Sequence, residues 1–426
     1  MKIQYISCGV EKEPLKTAFG FKGNALTCLW QVAVQIQTEE ASAVGLGVQS
    51  VLWSDARVFE KYGEEQGNER MYRVTKYALS LLRGETFSTP FQALDLIFDR
   101  VYAYAVRITQ LHSLSKTFVL NALVPLDLAL WQLWLKEHEG AGFDGIWQLP
   151  GEKQRRLANI PLITYNTTDD EIRSLALNGT PLLKIKIGSD PNKNGCVGDM
   201  LAWDKNRLLR IHHIVKDITV THSQTGYILY YLDANGRYDS RETLSSLLDF
   251  ARENGILERT VLLEEPFPEE KQIYVGDLPV CVAADESVHG MEELRQRHVL
   301  GYKALTLKPI AKGISMSLRM AEFALQNGMD CFCADLTVNP VMVTWNQCVA
   351  ARLPKLNGMK VGVVESNGSQ NYENWAAMQG YHPMAGSKFL DLTHGVFELE
   401  KDFFQCDGGI LQTSQYYRTL SEQEVL

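Results

Sequence analysis

The chain has no surplus of positive charge: Lys and Arg number 42 against 51 Asp and Glu, for a net charge of −9. With no basic stripe either, it is excluded as a protein that grips nucleic acid through phosphates. It also lacks any Cys-x-x-Cys pair. Cys8, Cys28, Cys196, Cys281, Cys331, Cys333, Cys348 and Cys406 are scattered through 426 residues, which excludes a disulfide scaffold and leads us to expect free thiols and a cytoplasmic setting. The opening "MKIQYISCGVEKEPL" has no apolar run of the length a secretory leader needs. The most apolar window, "FVLNALVPLDLALWQLWL", is interrupted by Asn121, Pro125, Asp127 and Gln132. It reads as a buried helix, so no membrane association is expected. Internal repeats, low-complexity tracts and linkers are absent as well. What is present is an apolar content of 45% and a charged content of 22%, the profile of a soluble globular protein long enough for two domains.

Residues 1 to about 60 alternate apolar and polar positions, as in "CLWQVAVQIQTEE" and "AVGLGVQSVLW". That period predicts antiparallel strands with one buried face. Helical patterns follow at "RMYRVTKYALSLLRG", "PFQALDLIFDRVYAYAVRIT" and 118–138, so the first third is α+β. From about residue 155 short apolar strands alternate with amphipathic helices: "IPLITYNT", "PLLKIKIG", "GYILYYLDAN", "TVLLEEPF", "VCVAADES", "ALTLKPI", "CFCADL" and "KVGVVESN". Eight such strands predict βα units closing into a parallel barrel. Lys186 and Asp233 lie 47 positions apart, an unusually long connection, and residues 189–224 are read as an insertion. The stretch beyond about 366 has no barrel rhythm and is expected to pack back on the rest.

Barrel enzymes place their chemistry at the C-terminal ends of the strands. Here the second strand carries Lys184 and Lys186, the third Asp233 with Asn235, and the fourth Glu264 with Glu265. The fifth carries Asp285 with Glu286, the sixth Lys308, and the eighth Glu365 and Asn367. Lys184 and Lys186 share one strand face, where two ammonium groups are costly without partners. Carboxylates converging at a barrel mouth repel one another and call for a cation. A hard divalent ion bound through oxygen fits, Mg²⁺ with Mn²⁺ as a substitute, and the lack of His and Cys at these ends argues against zinc. A carboxylate substrate chelated there has an acidified α-proton, because the ion stabilises the enediolate formed on proton removal. Lys186 and Lys308 approach from opposite sides, one to take the proton and the other to return it. Lys184 stands behind Lys186 as the charge that lowers its pKa. Strand alternation makes Glu264 and Glu265, and likewise Asp285 and Glu286, face opposite ways.

These residues resemble the enolase superfamily, near its muconate-lactonizing and dipeptide-epimerase branch. The resemblance rests on Lys-x-Lys in "KIKIG", on "LDAN", "EEP" and "ADES", and on the lysine of "LTLKP". It extends to "NALVPLDLALWQLWLKEHEG" ahead of the barrel and to the loop "PLKTAFGFKGN". It implies a modified (β/α)7β TIM-like barrel, residues 141–370, under an α+β cap, residues 1–140, with residues 371–426 returning to the cap. It further implies Asp233, Glu264 and Asp285 as metal ligands, Lys186 and Lys308 as the acid/base pair, and Lys184 and Asn235 in support. The branch carries Asp-x-Asp at the eighth strand for a substrate ammonium, where this chain has Glu365 and Asn367; Glu365 still offers an acceptor for an amine, while the neutral Asn367 implies a different or less cationic substrate. The seventh strand has Asp335 and no His, unlike mandelate racemase.

Lys22 is placed to close over the site and pair with a distal substrate carboxylate, against the blander reading of a solvated loop lysine. Phe19, Phe21 and Trp53 are expected either to line the pocket or to pack the cap, and His212–His213 to lie away from the site. The function expected is a divalent-metal-dependent racemase or epimerase of a small carboxylate substrate, working as a homo-oligomer. The alternatives are β-elimination or cycloisomerisation on the same scaffold, a metal-free Schiff-base aldolase, and a non-catalytic binding protein that kept the fold.

Overall fold

Period-two alternation in the first fifty residues produces an antiparallel sheet of β1 (Tyr5–Phe21), β2 (Asn24–Gln37) and β3 (Ser42–Gln49). The computed structural model describes residues 1–21, 24–138 and 142–426, without the side chains of Phe19 and Phe21. Lys22 therefore lies outside the described residues. A short helix, α1 (Val51–Ser54), ends the first strand run and holds Trp53, which the sequence pattern assigns to a strand. Three long helices follow: α2 (Ala56–Leu82), α3 (Pro90–Thr109) and α4 (Lys116–Glu137). Helix α4 is long and apolar enough to cross a membrane by composition, but it is almost wholly buried within the fold. It lies flat on the cap sheet because Gly45 and Gly47 of β3 let Pro125 approach. A Cβ on Gly45 would meet the Pro125 carbonyl oxygen at 1.9 Å.

After α5 (Gly142–Ile146) the chain enters the barrel. Strands β4 (Arg156–Asn159) and β5 (Leu162–Ile163) form one strand interrupted at Pro161, which cannot donate to a ladder. Strand β4 pairs with the last barrel strand and β5 with the second, so this interrupted strand closes the sheet on itself. Between those ends run β6 (Leu182–Lys186), β7 (Leu229–Asp233), β8 (Thr260–Glu264), β9 (Val282–Ala284), β10 (Ala304–Leu307), β11 (Asp330–Cys333) and β12 (Gly362–Val364), all parallel. The result is a modified (β/α)7β TIM-like barrel. The crossovers use α6 (Asp169–Leu177), α7 (Val197–Val215), α8 (Arg241–Glu253), α9 (Met291–Val299), α10 (Pro309–Lys312) with α11 (Ile314–Gln326), and α12 (Pro340–Ala350). Only a loop joins β8 to β9.

The long second connection is not an inserted helix. Helix α7 is the ordinary crossover, and the extra length lies in the loops before and after it, residues 187–196 and 216–228. His212 sits on α7, buried and hydrogen-bonded to the Tyr230 hydroxyl at 2.9 Å, well away from the barrel mouth. The final segment returns twice: β14 (Val396–Glu398), paired with β13 (Leu392–Thr393), adds antiparallel to β4, and β15 (Glu424–Val425) adds to β1 of the cap.

Inside the barrel, alternate residues form one apolar plug: Leu182, Leu229, Tyr231, Leu262, Ala283, Ala304, Phe332 and Val363. The intervening residues, such as Cys331 and Cys333, face the helices instead. This parity fixes which side chains reach the mouth.

Candidate active site

Continuing each inward row by steps of two leads from Leu182 to Lys184 and Lys186, and from Tyr231 to Asp233. The same step leads from Leu262 to Glu264, from Ala283 to Asp285, and from Val363 to Glu365. All six, with Lys308, line one cavity of about 620 Å³, mouth included, between barrel and cap. The cap closes it with Leu15, Leu26, Leu29 and Trp53, and the barrel adds Asn235, Glu286, Asp335, Leu336, Thr337 and Asn367.

Lys184 is buried beneath Lys186, with its ammonium 3.1 Å from Asp233, 3.1 Å from Glu264 and 3.4 Å from Glu365. Burial opposes its charge, yet these carboxylates outweigh it and hold the ammonium well above its ordinary range. Lys186 Nζ donates to Asp233 at 2.7 Å and to the side-chain oxygen of Asn235. Asn235, with φ of +45°, passes its own amide to Glu286 at 2.6 Å. On the far side, Lys308 donates to Asp285 at 2.6 Å and stands 4.3 Å from the Trp53 ring centre. Burial disfavours the Lys308 charge too, but Asp285 and Glu264 raise its pKa overall. Strands β6 and β10 are the second and sixth of eight, so the two lysines stand on opposite walls.

Glu264, Asp285 and Glu286 bring oxygens within 4.8 Å of one another. The expected alternation of Asp285 and Glu286 does not hold, because β9 ends at Ala284 and both side chains line the cavity. Glu265 does turn away; its carboxylate accepts from the Asp285 and Ser287 amides and the Ser287 hydroxyl. Asp233 stands beside this trio, on the lysine side. Burial, then crowding by Asp285 and Glu286, pushes the Glu264 carboxyl well above its ordinary range against the pull of Lys184. Buried Asp285 Oδ1 finds no hydrogen-bond donor among the described residues. Crowded oxygens, one forced toward its protonated form and one without a donor, are what an oxygen-binding divalent cation would satisfy.

The sequence reading missed Lys312, whose buried ammonium donates to the carbonyls of Asp285 and Val288 at 3.1 and 2.6 Å and so anchors the loop that carries Asp285 and Glu286. It left Asp335 without a role. That carboxylate accepts from the amides of Asn367, Leu336 and Val338, and burial raises its pKa to about 7.

No family model matches this chain, and no curated protein matches it in sequence. In three dimensions the fold is similar to that of solved structures described as mandelate racemase/muconate lactonizing proteins and dipeptide epimerases. An enolase-superfamily protein from Listeria innocua superposes with a TM-score of 0.68 at 16% identity, covering 100% of this chain and 98% of its own. A dipeptide epimerase from Enterococcus faecalis, complexed with Mg and L-Leu-L-Tyr, gives 0.63 at 16% identity over 94% and 98%. An N-succinyl Arg/Lys racemase from Bacillus cereus gives 0.64 at 16% over 88% and 89%.

Proposed function

We propose that this protein is a divalent-metal-dependent racemase or epimerase that moves the α-proton of a small carboxylate substrate. The observation that carries the reading is the pair Lys186 and Lys308, on opposite barrel walls with the carboxylates of β7, β8 and β9 between them. A substrate carbon held between two amines loses its proton to one and regains it from the other on the opposite face, which inverts it. Lys186 is steadied by Asp233 and Asn235, and Lys308 by Asp285 and the Trp53 face. Lys184 neutralises the buried acids beneath them.

Asp233, Glu264 and Asp285 are assigned as ligands for Mg²⁺ or Mn²⁺, with Glu286 completing the acidic wall. The cation would stabilise the negative charge that builds on the substrate carboxylate as the proton leaves. The Mg-bound dipeptide epimerase that shares the fold supports this choice. In this reading residues 1–140 are the specificity cap, 141–370 the catalytic barrel and 371–426 the segment that ties them. All eight cysteines are free, in keeping with a reducing cytoplasm.

The test is a panel of dipeptides and acid sugars in D₂O with Mg²⁺, read by mass. Deuterium at the α-carbon of both recovered substrate and product is expected. A water-loss product with no α-deuterium would replace epimerisation by elimination, and a borohydride-trapped adduct indifferent to chelator would replace it by Schiff-base chemistry.

A further inference from the structure

One buried carboxylate near the barrel mouth belongs neither to the acid cluster nor to the cavity lining. Asp204 stands on the crossover helix α7 and is fully buried. Its oxygens accept from the Gly188 amide at 2.7 Å, the Ser189 amide at 3.4 Å and the Tyr238 hydroxyl at 2.7 Å. Burial pushes its pKa up to about 6 against the pull of these donors. At neutral pH it is therefore ionised, the form that only accepts.

The two segments it joins both lead to Lys186. Gly188 follows Lys186 by two residues, and Tyr238 follows Asn235 by three. Asn235, with Asp233 at the same end of β7, holds the Lys186 ammonium. Strand β6 stops at Lys186 and the long loop 187–196 begins at once, exposed from residue 191 onward. Motion of that loop would pass straight to a lysine whose flexible four-carbon stem fixes nothing by itself. The root of the loop is held instead. Besides the bonds to Asp204, the Tyr165 hydroxyl donates to the Ile187 carbonyl at 2.9 Å, and the Ile187 amide donates to the Asp233 carbonyl at 2.9 Å. Gly188 sits at φ +80°, and a Cβ there would meet Arg237 Cβ at 2.5 Å, so the turns after β6 and β7 lie in direct contact. The Tyr238 amide donates to the Pro266 carbonyl at 3.0 Å, which ties both turns to the end of β8.

We infer that Asp204, with Tyr238, positions Lys186: the carboxylate clamps the turn after β6 to the turn after β7 at the spacing that sets the Lys186 amine on Asp233 and Asn235. Both are positioning residues and neither lines the cavity. The inference deepens the proton-transfer reading above, since it assigns what steadies one of its two bases.

Competitive acetylation of the full-length protein by acetic anhydride, read by peptide mass spectrometry, reports the access to each lysine amine without requiring turnover. Lys186 should label at least about threefold faster in Asp204→Asn and about twofold faster in Tyr238→Phe, with Lys308 unchanged in both. Deuterium exchange gives the second readout, on any compound of the dipeptide and acid-sugar panel that the wild type exchanges. The stereoisomer whose exchange Lys186→Ala abolishes should lose about tenfold in Asp204→Asn and about threefold in Tyr238→Phe, while the other stays within about twofold. Tyr238→Phe keeps its ring in place and carries the test where Asp204→Asn fails to fold. Unchanged labelling of Lys186 in the folded variants, a parallel rise at Lys308, or equal loss of exchange from both stereoisomers overturns the inference. Selective labelling of Lys186, with no panel compound exchanged by the wild type, leaves the clamp standing and removes the proton-transfer reading instead.

Discussion

The two halves of the barrel mouth are built differently. Strands β6 to β10 contribute Lys184, Lys186, Asp233, Glu264, Asp285 and Lys308, tied by ion pairs of 2.6–3.1 Å. The facing half, made by the cap and the ends of β11 and β12, is mostly leucine with neutral Thr337 and Asn367, and its two carboxylates are Asp335 and Glu365. In the charged half Lys184, Lys186, Asp233 and Glu264 stand within strands and Asp285 and Lys308 one residue beyond them, and strands position groups more rigidly than loops do. The neutral half stands on loops and on the cap, where sequence can change without disturbing the charges. On the proposed function, the comparison teaches that chemistry and recognition are separated by the kind of backbone that carries them.

Truncating the charged half should have the largest effect. Lys186→Ala and Lys308→Ala should each lower turnover about 10³-fold. Each should also abolish α-deuterium exchange from one stereoisomer while sparing the other, as followed by mass and chiral chromatography. Leu29→Ala should instead raise KM by up to about tenfold at nearly unchanged kcat, since it removes contact made equally in ground and transition states. A Leu29 variant as damaged as the lysine variants would erase the distinction between the halves.

Opposite pH responses provide a second test, on the metal-free protein. In the neutral half, Asp335 is raised to about 7, chiefly by burial. The folded state holds that proton more tightly than the unfolded chain, so the stabilisation is complete below about pH 4 and is lost as pH rises through about 7. Three units correspond to about 4 kcal/mol. In the charged half burial works against Asp233, but Lys184 and Lys186 prevail and lower its pKa. Its stabilisation is present above about pH 4 and is lost on acidification through its lowered value. Urea unfolding from pH 4 to 7 should show wild type losing stability relative to Asp335→Asn as pH rises. Asp233→Asn should cost a nearly constant amount across that window, its penalty shrinking only below about pH 4. Parallel curves for the two variants would refute the contrast.

Much of this was legible in the sequence, for a physical reason. Period two carries Lys184, Lys186, Asp233 and Glu264 inward within their strands, and Asp285 keeps that parity one residue past β9, so composition at strand ends translates into a clustered lining. The reading failed where the strand stopped. Glu286 turns inward because β9 has already ended at Ala284. Thr337 lines the cavity from a left-handed conformation, φ +56°, held through the Tyr372 hydroxyl and Gln31, which lie 341 positions apart in the chain. The long second connection was assigned to an insertion because spacing alone cannot show that α7 is the regular crossover flanked by extended loops.

Mg²⁺ should distinguish the halves by stability as well. At a hundred times its dissociation constant the ion should add about 2.7 kcal/mol, seen as a rise in melting temperature. Glu264→Gln should melt no lower than wild type without metal, since the amide relieves crowding with Asp285 and Glu286, yet gain little from Mg²⁺. Asn367→Asp, in the neutral half, should keep the full Mg²⁺ response. A lost response there would mean that the ion is held across both halves.

The smallest effect should come from Trp53, the cap residue that touches the charged half. Its ring centre lies 4.3 Å from the Lys308 ammonium and 5.8 Å from that of Lys312. An ammonium over an indole face gains about 0.5–2 kcal/mol, and that attraction favours the charged form of Lys308. Trp53→Phe retains a weaker face and should change turnover by less than about threefold. Trp53→Leu removes the face and should lower turnover about three- to tenfold. Because the equilibrium constant ties kcat/KM in the two directions together, the loss should fall on both, and the lost ring face should show as a shifted pH profile for the deuterium exchange that Lys308 carries out. Unfolding free energy should shift by no more than about 1–3 kcal/mol, since the residue is only partly buried. An unshifted pH profile beside that loss would show that Trp53 shapes the cavity without touching the proton, and would return it to the recognition half.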